Sequence, residues 1–259
     1  MFLRSLNVMI RLLMMDMYVF RATIIDKIVN TMIYCAVQLF VMGYMMRAFG
    51  LNDAYTNFFV IGLFATVGQF EVFPMVVKVV SDRTGDQSIL YYCTLPTSSW
   101  LVLGRLILFT ALGSLSLMTF FFPFMATVLW YQGLLFNISF IALLIMMLLT
   151  ALFYGSLALL IVTFVKDMTK VSNIWMRFLF PLWFLGCYQF SFNTLINKVG
   201  YFGYLILINP FTYINEGMRA ICLHGDYLNW MFCAVMLLLI VSLFSYISIS
   251  RFKKQLDVV

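Results

Sequence analysis

The sequence predicts an all-α membrane protein: six transmembrane helices, an N-terminal interfacial helix, and an outer re-entrant helical hairpin between spans 5 and 6. Three observations carry this. Hydrophobic residues make up 64% of the 259-residue chain and charged residues only 10%, against about 45–50% and about 25% in soluble domains. Lipid must then be the solvent for much of the surface. The apolar residues gather in six stretches, 24–48, 58–80, 100–128, 138–165, 174–193 and 229–250, each of the length, about 20 residues, that crosses a hydrocarbon core. The basic residues alternate with these stretches. Arg4, Arg11, Arg21 and Lys27 precede the first span. Lys78, Arg83 and Arg105 surround the second connection, Lys166, Lys170 and Arg177 the fourth, and Arg251, Lys253 and Lys254 follow the last. Of the 16 Lys and Arg residues, only Arg47, Lys198 and Arg219 fall on the other side. An excess of Lys and Arg marks the cytoplasmic face, so both termini are expected there. The net charge of +6 is spread over span ends and forms no nucleic-acid-binding face.

Taken in order, residues 1–22 place Arg4, Asn7 and Arg11 at helical spacing on one face of an otherwise apolar segment, which suits a helix lying in the interface. Asp16 falls off that stripe. The segment reads equally as a plain anchor or as a lever touching a cytoplasmic partner. Arg11 and Asp16 also interrupt the apolar run that a cleaved leader needs. Spans 1–5 then occupy 24–193, with short outer turns at 50–57 and 131–137 that carry no Lys or Arg. The hairpin covers 194–228, span 6 covers 229–250, and residues 251–259 form a cytoplasmic tail, all in a single domain, 1–259.

The longest cytoplasmic connection, "SDRTGDQSILYYCTLPTSSW" (81–100), predicts a short amphipathic helix. Thr84 to Asp86 start it, with Asp86 suited to the helix dipole. Ile89, Leu90 and Cys93 share one face, and Pro96 closes it. Such a helix either docks into a partner's groove or is a solvated turn. Deeper in the second span lies Glu71, and a charge at the bilayer centre costs about 2.5–3.5 kcal/mol on insertion scales. Lys78, Arg105 and Arg177 are its expected partners. Glu71 and Lys78 are candidates for a translocation path or gate, with a structural ion pair as the competing reading. Pro74 is expected to kink the helix there.

In the hairpin, "LINPFTYINEGMRAICLHGDY" (207–227) begins a helix at Asn209-Pro210, an N-cap followed by proline at the first helical position. Running from Pro210 to His224 it reaches about 22 Å, too short to cross a core of about 30 Å. Gly225 is the expected stop. Glu216 and Arg219, three residues apart, are expected to pair, so that reversing both charges should restore what either single change removes. The five dispersed cysteines and the lone His224 form no disulfide framework or metal site. The chain has no phosphate-binding loop and no nucleophile elbow.

"NPFTYINEGMRA" resembles the C-terminal signature of ABC-2-type exporter permeases. That signature is Pro, an apolar residue, any residue, a Tyr- or His-type residue, five residues, then Arg or Gln. Pro210, Phe211, Tyr213 and Arg219 fill those places. Leu95-Pro96 resembles the turn before the family's third span, and the span count and outer hairpin are similar. Bulky Tyr188 and Gln189 depart from the smaller residues expected at the end of the fifth span. The resemblance implies a membrane-spanning permease subunit of an ATP-driven exporter in a bacterial cell (inner) membrane, not itself an enzyme. It further implies a second permease copy in a homodimer, two copies of an ABC ATPase subunit binding ATP and Mg, no cofactor on this chain, and contact with membrane lipid. Asp86, Gln87, Leu90 and Tyr91, with Arg4 and Arg11, would then contact the ATPase. The path would be lined mainly by the first, second and fifth spans. The implied cargo is amphipathic, a lipid-linked glycan or polysaccharide or a hydrophobic drug-like molecule. The alternative is a secondary transporter or channel using Glu71 as an ion or proton site. An intramembrane lipid-modifying enzyme needs more clustered His, Asp, Cys or Ser groups than this chain offers.

Overall fold

The computed structural model describes residues 2–46, 49–50, 54–95, 97–131, 133–134, 138–165, 167–223 and 225–256, with the side chains of 2–6 and 256 left aside. The expectations placed on the Arg4 side chain, Arg47, Pro96, Lys166 and His224 lie outside the described residues. Within them every regular element is helical. Among the described residues, five helices are long and apolar enough to cross a membrane: Asn7–Met45, Ala54–Thr84, Ser99–Tyr131, Phe140–Val162 and Trp230–Gln255.

The first of these departs from expectation. Helix α1 (Phe2–Leu39) runs unbroken through the junction expected between an interfacial helix and span 1. No Gly or Pro occurs before Gly43, so nothing in the backbone ends the helix sooner. At 1.5 Å per residue its 38 residues reach about 57 Å, nearly twice the hydrocarbon thickness. It ends in a π turn, Phe40–Met45, where the Thr56 hydroxyl donates to the Gly43 carbonyl (3.1 Å).

The innermost span joins α2 (Ala54–Thr66) and α3 (Val72–Thr84) through a 3₁₀ turn, Val67–Glu71. Pro74 brings no N–H to the Phe70 carbonyl. The tightened turn finds partners on neighbouring helices: Ser114 donates to the Gly68 carbonyl (2.8 Å) and Tyr154 to that of Ala65 (2.9 Å). A Cβ at Gly68 would lie 2.9 Å from the Tyr154 ring, so the close approach needs glycine. Helix α4 (Ser88–Thr94) follows, then α5 (Ser99–Tyr131) and α6 (Phe140–Val162). Helices α5 and α6 pack on each other, α6 packs on the C-terminal helix, and α1 packs on α5 from outside.

The fifth expected span, 174–193, is not among the five long helices. In its place is a helical run, Met168–Tyr188, made of a 3₁₀ turn (Met168–Lys170), α7 (Val171–Ile174), a π turn, α8 (Phe180–Trp183) and a second π turn. Pro181 offers no N–H to the carbonyl four residues back, which accounts for the first widening. The run breaks at Gly186 and Cys187, where Cys187 takes the left-handed conformation (φ 57°). The outer segment continues as α9 (Phe192–Val199), a 3₁₀ stretch Gly200–Ile208, and α10 (Pro210–Cys222). Helix α11 (Trp230–Leu256) closes the chain.

Candidate functional site

Three clusters hold most of the candidate residues. The first is at the α4 end of the bundle. Helix α4 starts at Ser88, later than expected, and Asp86 does not cap it. The Asp82 carboxylate does so, accepting from the N–H groups of Ser88 and Ile89 (both 3.0 Å); this permits Gln87 to stand in the left-handed region (φ 52°). Ile89 is buried, and Tyr92 lies under the Arg105 guanidinium (5.0 Å). Asp86, Gln87 and Tyr91 are left exposed, with Leu90 half-buried beside them. Arg83 ties this corner together. It donates to the Val165 carbonyl and to Gln255 (both 3.1 Å), while Gln255 donates to the Thr163 carbonyl (2.9 Å). Exposed Arg11 sits apart on α1.

The second cluster corrects the expected pairing of Glu71. Its partner is Lys27 on α1, at 2.7 Å, and not Lys78, Arg105 or Arg177. Lys78 reaches instead to Asp16 (3.0 Å), which also meets Arg105 (3.2 Å). Two carboxylates and three cations thus bind α1 to α3 and α5. Asp16 and Glu71 are buried, as is Arg105, while Lys27 and Lys78 stay 25% and 44% exposed. Sequence reading missed Asp16 and Lys27. The signal was the inward stripe of α1, since Asp16, Phe20, Lys27, Thr31 and Cys35 recur at helical spacing. All of these but Lys27 are buried.

The third cluster is the outer segment, where α10 is a polar peg. Asn209 caps it as expected, accepting from the Phe211 N–H (3.1 Å). The stop at Gly225 is corrected: the helix ends at Cys222, with Leu223 extended as its C-cap. Glu216 and Arg219 lie on no exposed polar face, because both side chains are fully buried. They are 3.8 Å apart, but their nearer partners are backbone. Arg219 donates to the carbonyls of Cys187, Tyr188 (2.7 Å) and Phe58 (3.3 Å), and stacks on the Phe58 ring (3.5 Å). Asn215 donates to the Gly186 carbonyl (2.7 Å), and Asn209 to that of Leu182 (2.6 Å). The carbonyls left without helical partners where the run breaks are met by one face of α10. Glu216 serves the following segments, accepting from the N–H of Phe192 (3.1 Å) and Leu228 (3.4 Å). Tyr213 donates to the Leu207 carbonyl (2.8 Å), and buried Pro210 opens the helix. Of the residues singled out in the sequence, Pro210, Tyr213, Glu216 and Arg219 come together in this one helix. Among the described residues, no three His, Cys, Asp or Glu side chains are placed to hold a metal ion.

Long apolar helices carrying buried ion pairs between them define a multi-pass membrane protein. The family model described as ABC-2 type transporter matches residues 62–223, and the chain belongs to that family, whose members are the membrane permeases of ABC transporters and work with an ABC ATPase subunit. The match takes in the 3₁₀ turn, α4, the broken run and all of α10, leaving α1 and α11 outside it. Comparison with curated proteins gives no match.

Proposed function

We propose that this permease works as a homodimer with two ABC ATPase subunits, exporting an amphipathic lipid-linked glycan or hydrophobic drug-like molecule across a bacterial inner membrane, both termini being cytoplasmic. The observation that carries the reading is α4. It is short, braced from behind by Asp82, Ile89 and the Tyr92–Arg105 stack, and presents Tyr91 outward beside the exposed Asp86 and Gln87 of the turn before it. A braced helix transmits a push to α3 and α5, whereas a free loop absorbs it. ATP and Mg belong to the partner subunit, and no cofactor is assigned to this chain. The path runs past Glu71 and Lys78, which line a cavity between α1, α3 and α5. Beyond Pro74 a second cavity is lined by Phe70, Phe73, Trp175 and Met176. Arg11 belongs to the lever face of α1.

The test is purification of the chain with its ATPase and measurement of transport in proteoliposomes. ATP-dependent transport that falls with Tyr91→Ala supports the reading. A complex holding no ATPase, with transport indifferent to ATP, removes it. One observation favours a second reading, a Glu71-dependent secondary transporter: Glu71 is buried at a helix break and borders a cavity. Transport that follows a proton gradient and is abolished by Glu71→Gln would select it.

A further inference from the structure

The ion pairs between α1, α3 and α5 leave cationic capacity unspent. An ammonium has three donors. Lys27 gives one to Glu71 and Lys78 gives one to Asp16. Each ammonium also lies over an aromatic ring, Lys27 on Phe20 (4.9 Å) and Lys78 on Phe109 (4.6 Å), which fixes its position. Both line one cavity of about 130 Å³, with Thr23, Glu71, Pro74 and Thr110 on its walls. With Arg105 also on Asp16, three cations face two carboxylates, an excess of one positive charge. The cavity is smaller than the 300–1,000 Å³ of ordinary ligand pockets, so it suits a headgroup and not a whole molecule.

Its position fits a headgroup as well. Lys78 is six residues from the end of α3 at Thr84, and Arg105 six from the start of α5 at Ser99. Both are about 9 Å from the same end of the bundle, and Glu71 with its partner Lys27 lies about 10 Å further in, so the site runs inward from the end of the bundle. Phe20 is shared with a larger, mainly apolar cleft of about 460 Å³ between α1 and α5, lined by Met14, Met17, Ile24 and Ser116, with Arg21 beside them. Basic pockets between transmembrane helices are recognised binding places for anionic headgroups.

We propose that Lys27 and Lys78 form an anion site for the phosphate of a lipid whose chain lies in the α1–α5 cleft. Each lysine donates its free N–H groups to phosphate oxygens. Glu71 and Asp16 hold the two ammonium groups in place and limit the net charge. The same phosphate chemistry belongs to bilayer lipid and to a phosphate-bearing cargo.

The experiment uses the full chain in phosphatidylcholine nanodiscs, without ATPase or ATP, and measures equilibrium binding of dodecyl phosphate. Its failure therefore leaves the export proposal standing, and the failure of export leaves this site standing. Saturable binding is expected, about fivefold weaker in Lys78→Met and near wild type in Lys78→Arg. Asp16 keeps Arg105 in both variants, so neither strands a buried charge. Glu71→Gln, which removes the competing carboxylate, should bind more tightly. Opposite signs for the Lys78→Met and Glu71→Gln variants cannot come from loss of fold. Displacement by short-chain phosphatidylglycerol assigns the site to bilayer lipid, and displacement by phosphate monoesters alone assigns it to cargo; either supports the site. Binding unchanged in both charge variants overturns it, as does equal binding of dodecyltrimethylammonium. Inorganic phosphate competing as well as dodecyl phosphate would overturn the role given to the cleft.

Discussion

Exchanging the two charges of the outer peg, Glu216→Arg with Arg219→Glu, separates two accounts of how it is held. If the 3.8 Å ion pair dominated, the double variant would recover most of what each single variant loses. The backbone contacts say otherwise. A glutamate at 219 would face the carbonyls of Phe58, Cys187 and Tyr188, acceptor against acceptor. An arginine at 216 would face the N–H groups of Phe192 and Leu228, donor against donor. Removing one partner from a buried charged arrangement costs about 3–5 kcal/mol, and a hydrogen bond to a charged group contributes about 1.5–3 kcal/mol. Arg219→Met should therefore lose about 3–5 kcal/mol, and the double exchange at least as much. With a shift of about 2–4 °C per kcal/mol for chains of this size, the melting temperature in detergent should fall by about 6–20 °C. A double variant within about 1 kcal/mol of wild type would refute this reasoning and reinstate the ion pair.

Gly186→Ala should be costly, because the new Cβ would fall 2.2 Å from the Phe211 Cβ; about 1–3 kcal/mol is expected, read as a lower melting temperature. Asp82→Ala should remove about 1 kcal/mol of capping from α4, seen as faster amide exchange in Ser88–Thr94 and fewer substrates moved per ATP. Arg83→Met should free the Val165 carbonyl and Gln255, raising exchange at the end of α11 while leaving the outer peg protected.

Much of this was legible in the residues. The apolar runs placed four of the five long helices within a few residues, all but the first, and Asn209-Pro210 located the start of α10. What stayed hidden depended on tertiary partners. The cap of α4 comes from Asp82, in the preceding helix, while the local pattern favoured Asp86. Glu71 found Lys27 44 residues away, although Lys78 was the neighbour along its own helix. The break at Gly186 and Cys187 has no local cause that composition reveals; it is stable because side chains of α10 meet its carbonyls. The continuity of α1 was misjudged because its charged residues suggested a change of environment, whereas no Gly or Pro interrupts it before Gly43.

The carbonyls at the end of the broken run find their partners only downstream in the chain, Tyr188 waiting 31 residues for Arg219. At synthesis rates of about 5–20 residues per second, that delay is about 2–6 s. During it the fifth apolar segment must leave the insertion machinery with an unfinished end. Biogenesis of this permease is thus ordered from the back: the segment before the outer hairpin settles only once α10 has been made and slipped in behind it.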